Sequence, residues 1–312
     1  MAEPLRLRAD GSFTIAQFTD LHWQDGAAED LATSALMAAV LEAERPDLAV
    51  LTGDVIAGHG CADPALALRR AVEPLLERDI PWALVFGNHD DEGSLDRAAL
   101  LEVARRCPGC LAEAGPPGVS GVGNYRLLVA GPGGAPAAAL YFLDSNAYAE
   151  TAVGGYGWVR RDQIAWYTDL SHALTRRAGA PVPALAFLHI PLPEYNEVWD
   201  TQTCAGVKYE EVCCPRVNSG LFAALHEMGE VVGVFAGHDH VNDYEGSLHG
   251  IRLCYGRAGG FGTYGRAGMP RGARLIQVRA GERGFRSWLR LEGGAVLRAQ
   301  PEHAPRGRVL SA

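Results

Sequence analysis

Five apolar runs in this 312-residue chain end abruptly in side chains that bind metals, and that punctuation limits the folds open to it. Residues 13–19 lead into Asp20-Leu21-His22, 48–52 into Gly53-Asp54 and 82–86 into Gly87-Asn88-His89-Asp90. Residues 184–188 lead into His189, and 231–236 into Gly237-His238-Asp239-His240. Short apolar runs of this kind predict buried strands. The polar groups therefore sit at carboxyl ends of strands, the edge of an open α/β sheet where distant segments converge and ligands bind.

Helical periodicity at 29–44, 64–78 and 94–106 separates the first strands, so strand-helix units with parallel pairing are expected. Turn-rich stretches at 115–123 and 131–136 flank strands at 125–129 and 138–143, and a helix follows at 162–176. Residues 191–215 show little periodicity but hold Tyr195, Trp199 and Tyr209; long aperiodic loops in compact domains are usually functional. A helix at 219–228 precedes the last metal-binding motif. Thereafter the pattern is all strand, at 242–247, 251–255, 274–279 and 285–291, which predicts a second sheet region beside the first. The Gly-rich 256–268 stretch reads as a turn between strands rather than a phosphate cradle, because no strand-to-helix context accompanies it. The expected organisation is one domain over 1–291, with a C-terminal tail at 292–312 that is a surface strap or disordered.

A net charge of -9 disfavours a nucleic-acid polymer as partner, because phosphate contacts draw on clustered Lys and Arg. A small phosphorylated substrate suits the chain better. No apolar run approaches the length of a membrane span and the first ten residues do not resemble a secretory signal, so a cytoplasmic protein without membrane contact is expected. The seven cysteines then read as reduced thiols. Cys107 and Cys110 form a lone CxxC in a turn, and a bridge among Cys204, Cys213 and Cys214 is left open.

Carboxylate, imidazole and carbonyl oxygen at converging strand ends suit borderline metals such as Mn, Fe, Zn or Co, in divalent or mixed-valence form. Seven donors are enough for two ions. Asp54, alone in its Gly-Asp turn, is the natural bridge. Asp20, His22, Asp54 and His240 are assigned to one ion, and Asp54, Asn88, His189 and His238 to the other. Any one of these residues is commonplace; what distinguishes the set is that five of the ten histidines fall in the motifs. His59, His172, His226, His249 and His303 read as surface or packing residues, with His59 set apart by its closeness to the Asp54 turn. Two metals about 3.5 to 4 Å apart suit in-line displacement at phosphorus by a metal-bound hydroxide. Asn88 and His89 would face the substrate, and His89 would act as general acid or transition-state stabiliser. Asp90 would either orient the His89 imidazole or cap the helix beginning near Ser94.

The ordered set DLH, GD, GNHD, lone His and GHDH resembles the calcineurin-like metallophosphoesterases. That resemblance implies a four-layer αββα sandwich, an α/β fold of two mixed β-sheets flanked by helices. It also implies a dinuclear centre and hydrolysis of phosphomonoesters or phosphodiesters. Further segments, among them Gly154-Gly155-Tyr156-Gly157-Trp158, Gly206-Val207-Lys208-Tyr209-Glu210 and Asn218-Ser219-Gly220, are similar to a short purple-acid-phosphatase-like branch. In that branch-specific loop Lys208 and Asn218 are candidates for contact with the phosphate or leaving group, or else for loop structure and helix capping. True purple acid phosphatases carry a tyrosine ligand three residues after the bridging Asp and a DxG first motif. Here Ala57 and His22 stand in those places, so the tyrosinate colour is not expected. The expectation is a phosphomonoesterase; the alternatives are a phosphodiesterase acting on a cyclic nucleotide or other small diester, and a scaffold without catalysis.

Overall fold

The computed structural model describes residues 4–305. Two mixed sheets pack face to face with helices on both outer sides. In the first, β1 (Ser12–Phe18), β2 (Leu48–Thr52) and β3 (Trp82–Val85) run parallel. On the free edge of β1 the chain returns antiparallel as β11 (Gly272–Arg279) and β12 (Phe285–Leu291), followed by β13 (Val296–Leu297). The second sheet has the order β14 (Glu302–His303), β7 (Cys204–Ala205), β9 (Glu245–Leu248), β10 (Ile251–Tyr255), β8 (Val231–Ala236), β6 (Ala184–Phe187), β5 (Pro136–Phe142), β4 (Tyr125–Ala130). The late strands thus do not form a sheet of their own: β9 and β10 extend the second sheet, while β11 and β12 return to the first. The reason is the open hydrogen-bonding edge of β1, which β2 and β3 leave uncovered. From Leu291 the chain crosses between the sheets, β13 pairing with β12 and β14 with β7. Residues 306–312 of the expected tail lie outside the described residues.

The central strands are apolar on both faces because each has a partner on both sides. Along β5, Leu140 and Phe142 face the first sheet, whereas Ala139 and Tyr141 join the core under the outer helices. Between the sheets, Tyr125, Phe142, Phe187 and Phe235 stack at one level across four strands, with centroid spacings of 4.4, 5.3 and 5.2 Å. Phe285 of β12 closes on Phe235 at 5.2 Å. Aromatic pairs of this kind add about 0.5–1.5 kcal/mol each beyond their burial.

Outside the first sheet lie α1 (Ala28–Glu44), α2 (Pro64–Ala71), α3 (Glu73–Leu76) and α4 (Arg97–Arg105). The continuous helix expected over 64–78 is broken, since Pro74 has no N–H to continue the ladder. Helix α4 starts three residues later than expected because Asp96, not Ser94, supplies the cap, accepting from Ala99 N at 2.8 Å. Outside the second sheet lie α5 (Arg161–Ala178), α6 (Glu194–Thr201) and α7 (Leu221–Met228). Helix α6 falls inside the stretch that showed no periodicity; Tyr195 and Val198, one turn apart, are its only buried residues. None of the described helices is long and apolar enough to cross a membrane. All seven cysteines are free thiols.

Arg274 ties the layers together. Its buried guanidinium reaches from β11 to Glu245 Oε2 (2.7 Å) and to the carbonyls of Tyr255 (2.6 Å) and Asp243 (2.9 Å) in the second sheet. Arg274→Met removes the buried guanidinium that Glu245 Oε2 and both carbonyls share, so it should lower stability by about 3 kcal/mol. The check is a lower denaturant midpoint at unchanged slope.

Candidate metal centre

The strand ends of both sheets meet at one edge, and there the backbone is strained. Asp20, His22, Asp54 and His238 all occupy the left-handed region, with φ of 54°, 48°, 48° and 78°. Each such residue costs on the order of 1–3 kcal/mol and persists only where its surroundings hold it. They are held by loops that continue the sheet: Asp20 N donates to Gly53 O at 3.1 Å and His22 N to Asp54 O at 2.9 Å. Glycine is required at two neighbouring points. A Cβ on Gly87 would overlap the Asp54 carboxylate, and one on Gly53 would enter the His189 ring.

All seven residues named as ligands are buried and converge. Donor atoms of Asp20, His22, Asp54 and His240 form one group close enough to share an ion, and those of Asp54, His189 and His238 form a second. Asp54 belongs to both. Its Oδ1 accepts from His89 N at 2.8 Å. Its Oδ2 lies 3.5 Å from His22 Nε2 and 3.2 Å from His189 Nε2, yet is buried with no aligned donor. Around it, ring nitrogens face one another: His22 Nε2 and His240 Nε2 at 3.3 Å, His238 Nδ1 and His189 Nε2 at 3.2 Å. Asn88 Oδ1 is 3.2 Å from His189 Nε2.

The outward nitrogens show why these atoms suit cations. His189 Nδ1 donates to Thr52 O at 2.8 Å, which turns the Nε2 lone pair towards Asp54. His240 Nδ1 lies 3.0 Å from Thr263 Oγ1 and 3.3 Å from Tyr264 O, which likewise aims Nε2 inward. Lone pairs aimed at carboxylate oxygens repel unless a positive charge lies between them. The same crowding appears in the acid-base behaviour. Burial alone would depress His189, but the Asp54 carboxylate lifts it to about 9. His238 is pushed down to about 3 by burial and by the neighbouring His189 charge. Asp20 is held at about 2, because His240 outweighs its burial. The residues present fit two metal ions with Asp54 between them.

Other candidates are placed differently. Asp90 neither orients His89 nor caps α4. Its carboxylate accepts from the backbone N–H of Asp54 (3.0 Å), Ile56 (3.0 Å) and Gly87 (2.7 Å), bracing the loops after β2 and β3 against each other. Burial and the Asp54 charge raise it to about 7. The His89 ring is held instead by Glu92, whose Oε2 is 2.6 Å from Nδ1, and Glu92 Oε1 accepts from Tyr148 OH at 2.7 Å. Sequence reading missed both partners; the only signal was a carboxylate three residues after His89. Tyr148 OH also accepts from Asn88 Nδ2 at 3.1 Å. Lys208 contacts Glu211 at 3.5 Å. Asn218 binds Glu194 at 2.7 Å and accepts from Gly220 N at the start of α7. Neither shows a contact with the converging donors. Ala57, buried beside the Asp54 loop, brings no donor atom.

The sequence profile of the calcineurin-like phosphoesterases matches residues 13–242. Probable inactive purple acid phosphatase 14 of Arabidopsis thaliana is 34% identical over 320 residues, covering 91% of this chain and 79% of that protein. Phosphatase DCR2 of Saccharomyces cerevisiae is 36% identical, covering 94% of this chain and 56% of the yeast protein. Among solved structures, a dimetal phosphatase from Danio rerio shares the fold, with a TM-score of 0.62 at 15% identity over 94% of this chain and 98% of that one.

Two outcomes follow from the geometry. Gly87→Ala should displace the Asp54 carboxylate and leave the purified protein with less than half its metal by elemental analysis, whereas Gly284→Ala, which opens onto empty space, should keep it. An ion at His189 must displace the proton held up to about pH 9. Metal affinity should therefore rise as pH climbs towards 9, and uptake below that pH should release protons in weakly buffered solution.

Proposed function

The chain belongs to the calcineurin-like phosphoesterase family, and on that footing we propose that it is a phosphatase that hydrolyses small phosphomonoesters. One metal ion would be held by Asp20, His22, Asp54 and His240, the other by Asp54, Asn88, His189 and His238. The observation that carries this reading is the Oδ2 of Asp54, buried between His22 and His189 with no aligned donor. When bound, the ions supply positive charge to the phosphoryl oxygens and activate water for in-line attack at phosphorus. Imidazole, carboxylate and amide oxygen together suit Mn, Fe, Zn or Co.

The chain's own groups do the rest. Two carboxylates against two divalent ions leave the pocket net positive, so it draws a phosphate anion into an acidic protein. The Tyr148 hydroxyl holds the Asn88 amide with its oxygen turned to His189. Glu92 fixes the His89 ring through Nδ1 and leaves Nε2 to donate a proton to the leaving oxygen. Glu92 thus takes the orienting role first given to Asp90. Tyr148 and Tyr156 stack beside His238, and Tyr264 lies flat on His240 at 4.1 Å. Aromatic walls on two sides favour a phosphate with one substituent. The yeast relative's name, a phosphatase, supports the same side. A scaffold without catalysis is the second reading, favoured by the word inactive in the names of the plant relatives; the complete set of donors in this chain opposes it.

The metal-loaded enzyme should hydrolyse p-nitrophenyl phosphate faster than its bis ester. A strong preference for the bis ester would replace this reading with a phosphodiesterase, and no hydrolysis of either with Mn, Fe, Zn or Co would favour the scaffold. Asp54→Ala should lose both metal and turnover. His89→Ala should keep its metal and lose about 10²- to 10⁴-fold in turnover, with the larger loss on alkyl phosphates, whose leaving groups need the proton more.

A further inference from the structure

We propose that His59, His89 and Glu92 form a third metal site, beside the dinuclear centre, that binds one Zn2+ ion and inhibits turnover. The inhibitory part rests on the role given to His89 above; the binding part does not. His59 stands in the short turn Gly58–Gly60 after β2, and His89 and Glu92 in the loop after β3. Glu92 Oε2 lies 3.1 Å from His59 Nδ1 and 2.6 Å from His89 Nδ1, so two imidazole nitrogens already converge on one carboxylate oxygen, close enough for the three to share an ion. Tetrahedral Zn2+ with bonds near 2.0–2.1 Å places its ligand atoms about 3.3 Å apart. From 3.1 and 2.6 Å, the Glu92 oxygen has to draw back by about 0.2 Å from His59 Nδ1 and about 0.7 Å from His89 Nδ1 to receive it.

Two features make this more than a pair of surface contacts. The loops that carry the donors are locked backbone to backbone: Gly58 N donates to His89 O at 2.8 Å, and a Cβ on Gly58 or on Gly93 would strike the opposite loop. Asp90, bonded to the N–H groups of both loops, fixes the same spacing. Glu92 is also pinned from behind by the Tyr148 hydroxyl on Oε1, which leaves Oε2 for the shared centre. The site is therefore preorganised, which lowers the cost of binding. It is also open to solvent, with the side chains of His59, His89 and Glu92 61%, 33% and 26% exposed. Water can complete a fourth position. Two imidazoles with one carboxylate select Zn2+ over Mg2+ or Ca2+, which prefer all-oxygen shells.

His89 sits within 5.3 Å of His22, ring centre to ring centre, at the edge of the dinuclear centre. An ion on its Nδ1 takes Glu92 away from the ring and moves the ring from its donating position. Zinc would then slow the reaction without stripping the dinuclear metals. His59 has no part in the proposed chemistry, so it separates this site from the main one.

The protein and its His59→Ala variant would each be dialysed to equilibrium against micromolar Zn2+ and their zinc counted by elemental analysis. Wild type should hold one equivalent more than the variant. Added Zn2+ should inhibit hydrolysis of p-nitrophenyl phosphate by the Mn-loaded wild type at concentrations at least about tenfold lower than for His59→Ala, whose turnover without zinc is unchanged. Equal zinc content in the two proteins overturns the site, and equal inhibition despite unequal content overturns its inhibitory role. A one-equivalent difference in proteins that hydrolyse nothing supports the site and counts against the phosphatase reading, so the two can fail separately.

Discussion

The carboxylate of Asp54 is the point on which the rest of the centre depends. One oxygen is fixed by a backbone N–H, and the other is buried between imidazoles with no aligned donor. A buried charge left in that state is costly, and a cation is what relieves it. The surrounding sequence is shaped by the same need. Gly53 and Gly87 make room for the His189 ring and for the carboxylate itself, and Asp90 spends its own charge on three backbone N–H groups to keep the two loops in place. Four left-handed residues among the donors store strain that the loops around them must hold.

Sandwich closure assembles the site. The first sheet carries Asp20, His22, Asp54 and Asn88 on the ends of β1, β2 and β3; the second carries His189, His238 and His240 on the ends of β6 and β8. Neither sheet holds a complete set of donors. The aromatic stack from Tyr125 to Phe235 and the buried reach of Arg274 therefore act on function at a distance, since they set how the two edges face each other. Metal binding and inter-sheet packing are linked for that reason.

Much of this was legible beforehand. Strands buried on both faces advertise themselves as continuous apolar runs, and β2, β8, β10 and β12 fall on the residues expected for them. What escaped reading depends on partners far away in the chain. Helix α6 has too few apolar positions to show a period, and its place is set by Tyr195 reaching the carbonyls of Val234 and Cys254. The break between α2 and α3 was visible in Pro74 but was outweighed by the periodicity around it. Asp90 looked like a partner for the histidine beside it, yet adjacent side chains diverge, and the carboxylate that reaches the ring is three residues on.

The order of motifs by itself determined the class of fold and which Asp, Asn and His side chains gather at one sheet edge, because strand period and the chemistry of Asp, Asn and His are local properties. Only the tertiary structure decided which sheet the last strands join and that Glu92, itself held by Tyr148, rather than Asp90, holds His89. It alone brought His59 to the same carboxylate. Those are contacts between loops, set by the packing of two sheets and by glycines where backbones touch, and no stretch of sequence taken alone contains the distance between its neighbours.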